Sequence, residues 1–173
     1  MKELELSKHG KNRGKYFALL DNDIFDIVNE YDWHYSHGYA QNGKLNILLH
    51  RYIWTLKVGN IPSGLEVEHI NQDKLDCRLE NLRLANRSEN VCNVTLRKDN
   101  TSGYKGISKY VQRDKRHRGW KREYWRVRIN KDGKQYTKQF PFTDEGLELA
   151  KEWYKNMSLK IHGEFSIFNK DKK

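Results

Sequence analysis

Within residues 65–90 a carboxylate and an imidazole stand side by side at Glu68 and His69, an amide follows twelve residues on at Asn81, and another nine after that at Asn90. Hydrolysis of a phosphodiester needs a nucleophilic water, a base to take its proton, and a cation to hold the scissile phosphate and the leaving oxygen. This short run holds a candidate for each part. A Glu-His pair on its own is most simply a solvated turn; the two asparagines give it weight.

With Leu79-Glu80-Asn81-Leu82-Arg83-Leu84 between the Glu-His pair and Asn90, the run resembles the HNH nuclease motif of phage homing endonucleases. The resemblance implies that Glu68 and Asn90 ligate one divalent ion, that His69 is the general base, and that Asn81 fixes the loop carrying that histidine. Oxygen donors of this kind suit a hard ion such as Mg²⁺, with water and substrate phosphate completing its shell. The family more often has Asp at the position of Glu68; Glu keeps the charge and both oxygens but carries the carboxylate outward by about one bond length.

These residues need elements to hold them. Leu65, Val67 and Ile70 mark a short strand, residues 71–78 suit a polar loop, residues 82–84 supply a second strand, and residues 87–94, free of Gly and Pro, suit a helix. Strand, loop, strand, helix is the ββα-metal order that the resemblance implies. His50, in Leu48-Leu49-His50-Arg51-Tyr52, resembles a His-Arg segment that precedes the motif in phage members, and either faces the phosphate or packs behind the site. His34 and His37 fall in a strand-like stretch, where a His-x-x-His spacing does not converge on one ion. Upstream, residues 16–20 read as a strand, and Asn42-Gly43 reads as a hairpin turn between strands at 33–41 and 45–49. Trp33, in Tyr31-Asp32-Trp33, reads as packing.

Charge separates the two halves. The chain carries a net +10, yet residues 1–98 hold 14 basic and 13 acidic side chains, and residues 99–173 hold 19 and 10. A field of one sign over a short stretch attracts a polyanion, and salt weakens that attraction. Around it, Trp125, Val127 and Ile129 alternate with Tyr124, Arg126 and Arg128, a period of two that separates apolar from basic groups. Asp132-Gly133 turns into a strand at 134–140, and residues 104–111 read as a further strand. Thr143 caps an expected helix over 143–161, whose stripe of Leu147, Ala150, Tyr154, Met157 and Ile161 covers the apolar face.

Three strands and a helix, opened by Thr101-Ser102-Gly103-Tyr104-Lys105-Gly106-Ile107 and closed by His162-Gly163-Glu164-Phe165, resemble the APETALA or ethylene-response-factor type of DNA-binding domain. The resemblance implies that the sheet enters the major groove. It places Arg126, Arg128 and Asn130 on the middle strand against DNA, with Lys105, Lys109 and Arg113 from the first strand and Lys138 from the last.

The expected fold class is therefore α+β: an N-terminal ββα-metal nuclease module with extra strands over 1–98, then a three-stranded antiparallel sheet on one helix over 99–173. The expected activity is metal-dependent DNA cleavage, one strand per active site, on double-stranded DNA and with no obligatory protein partner. A catalytically decayed DNA-binding regulator and an RNA-binding protein remain the alternatives. Cys77 and Cys92 form no Cys-x-x-Cys pair, which argues against a zinc site and fits a reduced cytoplasm, and no apolar run suggests secretion or a membrane.

Overall fold

The computed structural model describes residues 1–93, 100, 102–113 and 119–169. They form a mixed α+β arrangement of small antiparallel sheets and few helices. One compact unit covers Met1–Asn90 and a second starts at Val91. The expected join at 97–102 lies largely outside the described residues.

In the first unit, Lys2–Leu6 (β1) pairs antiparallel with Tyr16–Leu20 (β2), Leu4 opposite Ala18. Their alternation is that of a half-buried ribbon: Leu4, Leu6, Ala18 and Leu20 are buried while Glu3 is exposed and Glu5 half-buried. Phe25–Asn29 (α1) adds Val28 to the same core, and Trp33 packs there, its indole N–H donating to the Val28 carbonyl at 2.9 Å.

The stretch expected as one strand over 33–41 is two, His34–Ser36 (β3) and Tyr39–Asn42 (β4). They are joined at His37-Gly38, both with positive φ (51° and 89°). Two such residues make the tight hairpin turn, and Gly38 supplies the conformation without steric cost. The expected turn at Asn42-Gly43 is a longer loop that leads to Ile47–Leu48 (β5), with the Asn42 side chain accepting from the Leu45 N–H. Beyond it the expected strand is cut short, because residues Leu49–Lys57 form a helix (α2) with Leu49, His50 and Ile53 buried.

Leu65–His69 (β6) pairs antiparallel with Leu82–Asn86 (β7), Glu68 opposite Arg83 and His69 opposite Leu82. Arg87–Asn93 (α3) follows directly. The loop between β6 and β7 is stitched to β2: Leu19 N–H donates to the Leu75 carbonyl, Cys77 N–H to the Leu19 carbonyl, and Leu79 N–H to the Asp21 carboxylate.

The second unit is a sheet of Ile107–Arg113 (β8), Lys121–Lys131 (β9) and Lys134–Pro141 (β10), with β9 central. Ile107, Val127, Ile129 and Phe140 form a core with Ala150 and Tyr154 of Asp144–His162 (α4). Thr143 caps α4, its hydroxyl accepting from the Gly146 N–H at 3.0 Å. β8 begins at Ile107 rather than 104 because Gly106 sits at φ +72°, where an added Cβ would lie 2.2 Å from the Tyr154 ring and 2.8 Å from the Arg128 carbonyl oxygen.

Candidate active site

Successive residues of a strand point to opposite faces, so β6 sends Glu66 and Glu68 one way and Val67 and His69 the other. On the first face Arg83, directly across from Glu68, holds its Oε1 with Nε at 2.6 Å and a terminal nitrogen at 2.5 Å. Both side chains are withdrawn from water, with relative exposures of 12% for Arg83 and 3% for Glu68.

α3 follows β7, and its start is fixed by a reciprocal cap. Asn86 Oδ1 accepts from the Glu89 N–H at 3.0 Å, and Glu89 Oε2 accepts from the Asn86 N–H at 2.8 Å. One residue on, Asn90 Nδ2 donates to Glu66 Oε2 at 2.8 Å. Asn90 thus comes onto the face that carries Glu68, engaged with Glu66.

On the other face His69 is buried beside His50, their rings edge-to-face with centroids 4.6 Å apart, and Tyr39 stands 5.6 Å from His50 and 6.3 Å from His69. His69 Nε2 lies 4.0 Å from the buried Cys77 sulfur. Burial lowers His50 to about 3, with the His69 and Arg51 charges adding to it. Burial likewise lowers His69 to about 4, against the raising pull of Asp73 and Asp76. Both imidazoles are neutral at neutral pH. His50 therefore stands directly against the candidate base.

Asn81 is buried and ties together both ends of the loop that follows His69. Its Oδ1 accepts from the Asn71 N–H at 3.0 Å, its Nδ2 donates to the Asp76 carbonyl at 2.7 Å, and its own carbonyl accepts from the Ile70 N–H at 2.8 Å. Sequence reasoning missed Asp76, a buried carboxylate in the same loop. It receives Arg78 Nε at 2.8 Å, a terminal Arg78 nitrogen at 2.7 Å, and Asn71 Nδ2 at 2.8 Å. Burial pushes the Asp76 carboxyl up, but the Arg78 and Asn71 bonds outweigh it and hold the group below the usual range. Its signal was a carboxylate two residues before an arginine, too common a pattern to stand out.

Among the described residues no three of His, Cys, Asp and Glu gather in a way that could hold a metal ion. The donors on the Glu68 face are instead carboxylate and amide oxygens. Such a set fits Mg²⁺, which dehydrates reluctantly and is commonly held by one or two protein oxygens with water and phosphate around it.

In the second unit the register divides the expected DNA contacts between two faces. Arg126, Arg128 and Asn130 share the open face with Ser108, Tyr110, Gln135, Thr137 and Gln139. There the Arg126 guanidinium stacks 4.0 Å over Tyr110, and Gln135 Nε2 donates to Asn130 Oδ1 at 3.1 Å. Lys109, Arg113 and Lys138 lie in register with Trp125, Lys121 and Val127, on the side that carries α4. Lys109 is further engaged with Glu123 at 2.9 Å and with the Phe142 ring at 4.4 Å. The single basic face expected from the sequence does not form, because Lys109 follows Ile107 at a spacing of two and must share its side. Lys105 sits in the turn ahead of β8.

An HNH endonuclease family model matches residues 48–92. Protein 3.8 of Escherichia phage T7 is 34% identical over 121 residues, which cover 69% of this chain and 88% of that protein. The uncharacterized HNH endonuclease L560 of Acanthamoeba polyphaga mimivirus is 30% identical over 165 residues, 93% of this chain and 78% of that one. No solved structure matches the chain.

Proposed function

This chain belongs to the HNH endonuclease family, and from that premise we propose that it is a metal-dependent DNA endonuclease that cuts one strand per active site and holds its duplex with the sheet of the second unit. The observation that carries the reading is the loop after His69, closed at both ends by Asn81, with Asn90 delivered onto the Glu68 face by the capped start of α3.

Each side chain then has a task. Glu68 and Asn90 hold the ion, which when bound supplies positive charge to the scissile phosphate and leaving oxygen. His69, neutral at working pH, takes the proton of the attacking water. Asn81 keeps the His69 loop from drifting, and His50 buttresses the imidazole from behind. Because Glu68 and His69 are consecutive at the end of β6, a phosphate lying across that strand end is flanked by the ligand on one side and the base on the other.

The second unit, similar to the APETALA type in strand and helix order, is read as the duplex holder. Arg126, Arg128 and Asn130 are its base-edge candidates on the open face, since arginine pairs with guanine and asparagine with adenine through two bonds each. Lys105, in the turn ahead of β8, serves phosphate, where a point charge suffices.

The Arg83 fork on Glu68 favours a second reading, in which the carboxylate is committed to a structural pair and the chain binds duplexes without cutting them. Supercoiled plasmids carrying a phage-genome library, incubated with Mg²⁺, decide between the two. Nicking by the parent and its loss in a folded His69→Ala variant are expected; equal nicking by both proteins rejects His69 as the base, and an inert parent leaves the binding role alone.

A further inference from the structure

The face of β6 that carries Glu68 carries one more carboxylate for which the family motif has no role. Glu66 lies two residues before Glu68, exposed, and accepts the Asn90 side-chain N–H at 2.8 Å. We propose that Glu66 is a positioning residue for the cation site: it fixes which end of the Asn90 amide is offered to the ion. The inference rests on the metal-site reading above and adds to it the group that orients the ligand.

Donor and acceptor chemistry sets the orientation of the Asn90 amide. An asparagine amide presents an oxygen on one side and an NH₂ on the other, and only the oxygen can ligate a hard cation. Left to itself the group takes either orientation. An ionised carboxylate only accepts hydrogen bonds, so beside Glu66 the amide must turn its nitrogen toward the carboxylate and its Oδ1 away. The other constraints on Asn90 come from its backbone: the Asn86–Glu89 cap fixes where α3 starts, which sets the position of Asn90 but leaves the amide rotation open. Glu66 closes that last freedom. Partners that orient a ligand from behind commonly matter to metal sites by tenfold to a hundredfold in affinity.

A charge near a cation site also attracts the cation through space, and the two effects separate by substitution. Glu66→Gln removes the charge but keeps a carbonyl oxygen at the same reach; the new amide can accept as before or flip, so at worst half the molecules stay competent and apparent affinity falls about twofold. Glu66→Met keeps the shape and removes both charge and acceptor. Because residue 66 is exposed, both variants should melt like the parent in the absence of divalent ions.

The test is a Mn²⁺ titration of the full chain without DNA, with free Mn²⁺ followed by electron paramagnetic resonance. The expected result is a dissociation constant raised about tenfold or more in Glu66→Met and about twofold in Glu66→Gln, with unchanged melting temperatures. Equal weakening in the two variants assigns Glu66 a field effect only and overturns the proposal, as does parent-like binding by both. A parent that binds no Mn²⁺ overturns the metal-site reading itself, a failure distinct from the other two.

Discussion

Replacing Arg83 by methionine strips Glu68 of its guanidinium partner while preserving most of the buried volume. The pair is withdrawn from water on both sides, at 12% and 3% exposure, and both of its contacts converge on one carboxylate oxygen. Removing one member of such a pair leaves a buried charge uncompensated and costs about 3 to 5 kcal/mol. Against a total of about 5 to 15 kcal/mol for a domain, that is a large share of the unit's stability. The cost lies in the stranded carboxylate rather than in lost attraction, so Arg83→Met combined with Glu68→Gln should be milder than Arg83→Met alone. Hydrogen exchange by mass spectrometry on peptides spanning 65–86 reads this locally. A loss of about 3 kcal/mol makes the protected amides of β6 and β7 exchange roughly a hundredfold faster in the single variant, and the double variant should recover at least tenfold of that. Added Mg²⁺ should slow exchange more in Arg83→Met than in the parent, because the cation then supplies the missing charge. Equal exchange in the single and double variants, with no Mg²⁺ response, would refute the account of Glu68 as a buried anion that must have a positive partner.

Acid should weaken the first unit through its two buried histidines, held near 3 and 4 against 6.5 in the unfolded chain. The unfolded state takes up protons that the folded state refuses, so their contribution is complete above pH 6.5 and declines on acidification by about 1.4 kcal/mol per pH unit for each histidine until the folded values are reached. Melts between about pH 7.5 and 5 should step down accordingly, with a shallower slope in His50→Gln; a flat profile contradicts the burial argument. In duplex binding, Arg128→Ala should reduce the affinity of the second unit by more than Lys109→Ala does, since only Arg128 stands on the open sheet face; fluorescence anisotropy at several salt concentrations measures both, and equal losses would count against that face. Gly106→Ala should cost about 2 to 4 kcal/mol through a left-handed backbone and overpacking against Tyr154, seen as early melting of the second unit, and parent-like melting would show that the Tyr154 ring yields freely.

Legibility followed the strength of local pattern. β6 and β9 could be read from alternation, and α4 from its stripe and its Thr143 cap, because burial on one face leaves a period that needs no tertiary information; β2 was legible only as an apolar run. The split of 33–41 at His37-Gly38 was obscured by Asn42-Gly43, a stronger turn signal that the fold uses only as part of a longer loop. α2 was hidden because Ile47 and Leu48 continue into Leu49 as an apolar run, and such runs do not distinguish strand from helix. At the site, residue identities were readable but their partners were not. That Asn90 meets Glu66, and that Glu68 meets Arg83, depends on strand register and on the start of α3, which are properties of pairing rather than of composition. The placement of Lys109 and Lys138 failed for the same reason: charge density along the chain carries no information about which side of a sheet each charge takes.

The stitching of the β6–β7 loop to β2 bears on how far this nuclease unit could be trimmed or transplanted. The stretch matched by the family model starts at residue 48, yet the loop behind the candidate base leans on the Leu19 backbone and the Asp21 carboxylate, which come earlier in the chain. A fragment confined to the motif would therefore inherit the reactive groups without the scaffold that aims them, and any graft of this module onto another protein would have to bring the opening ribbon with it.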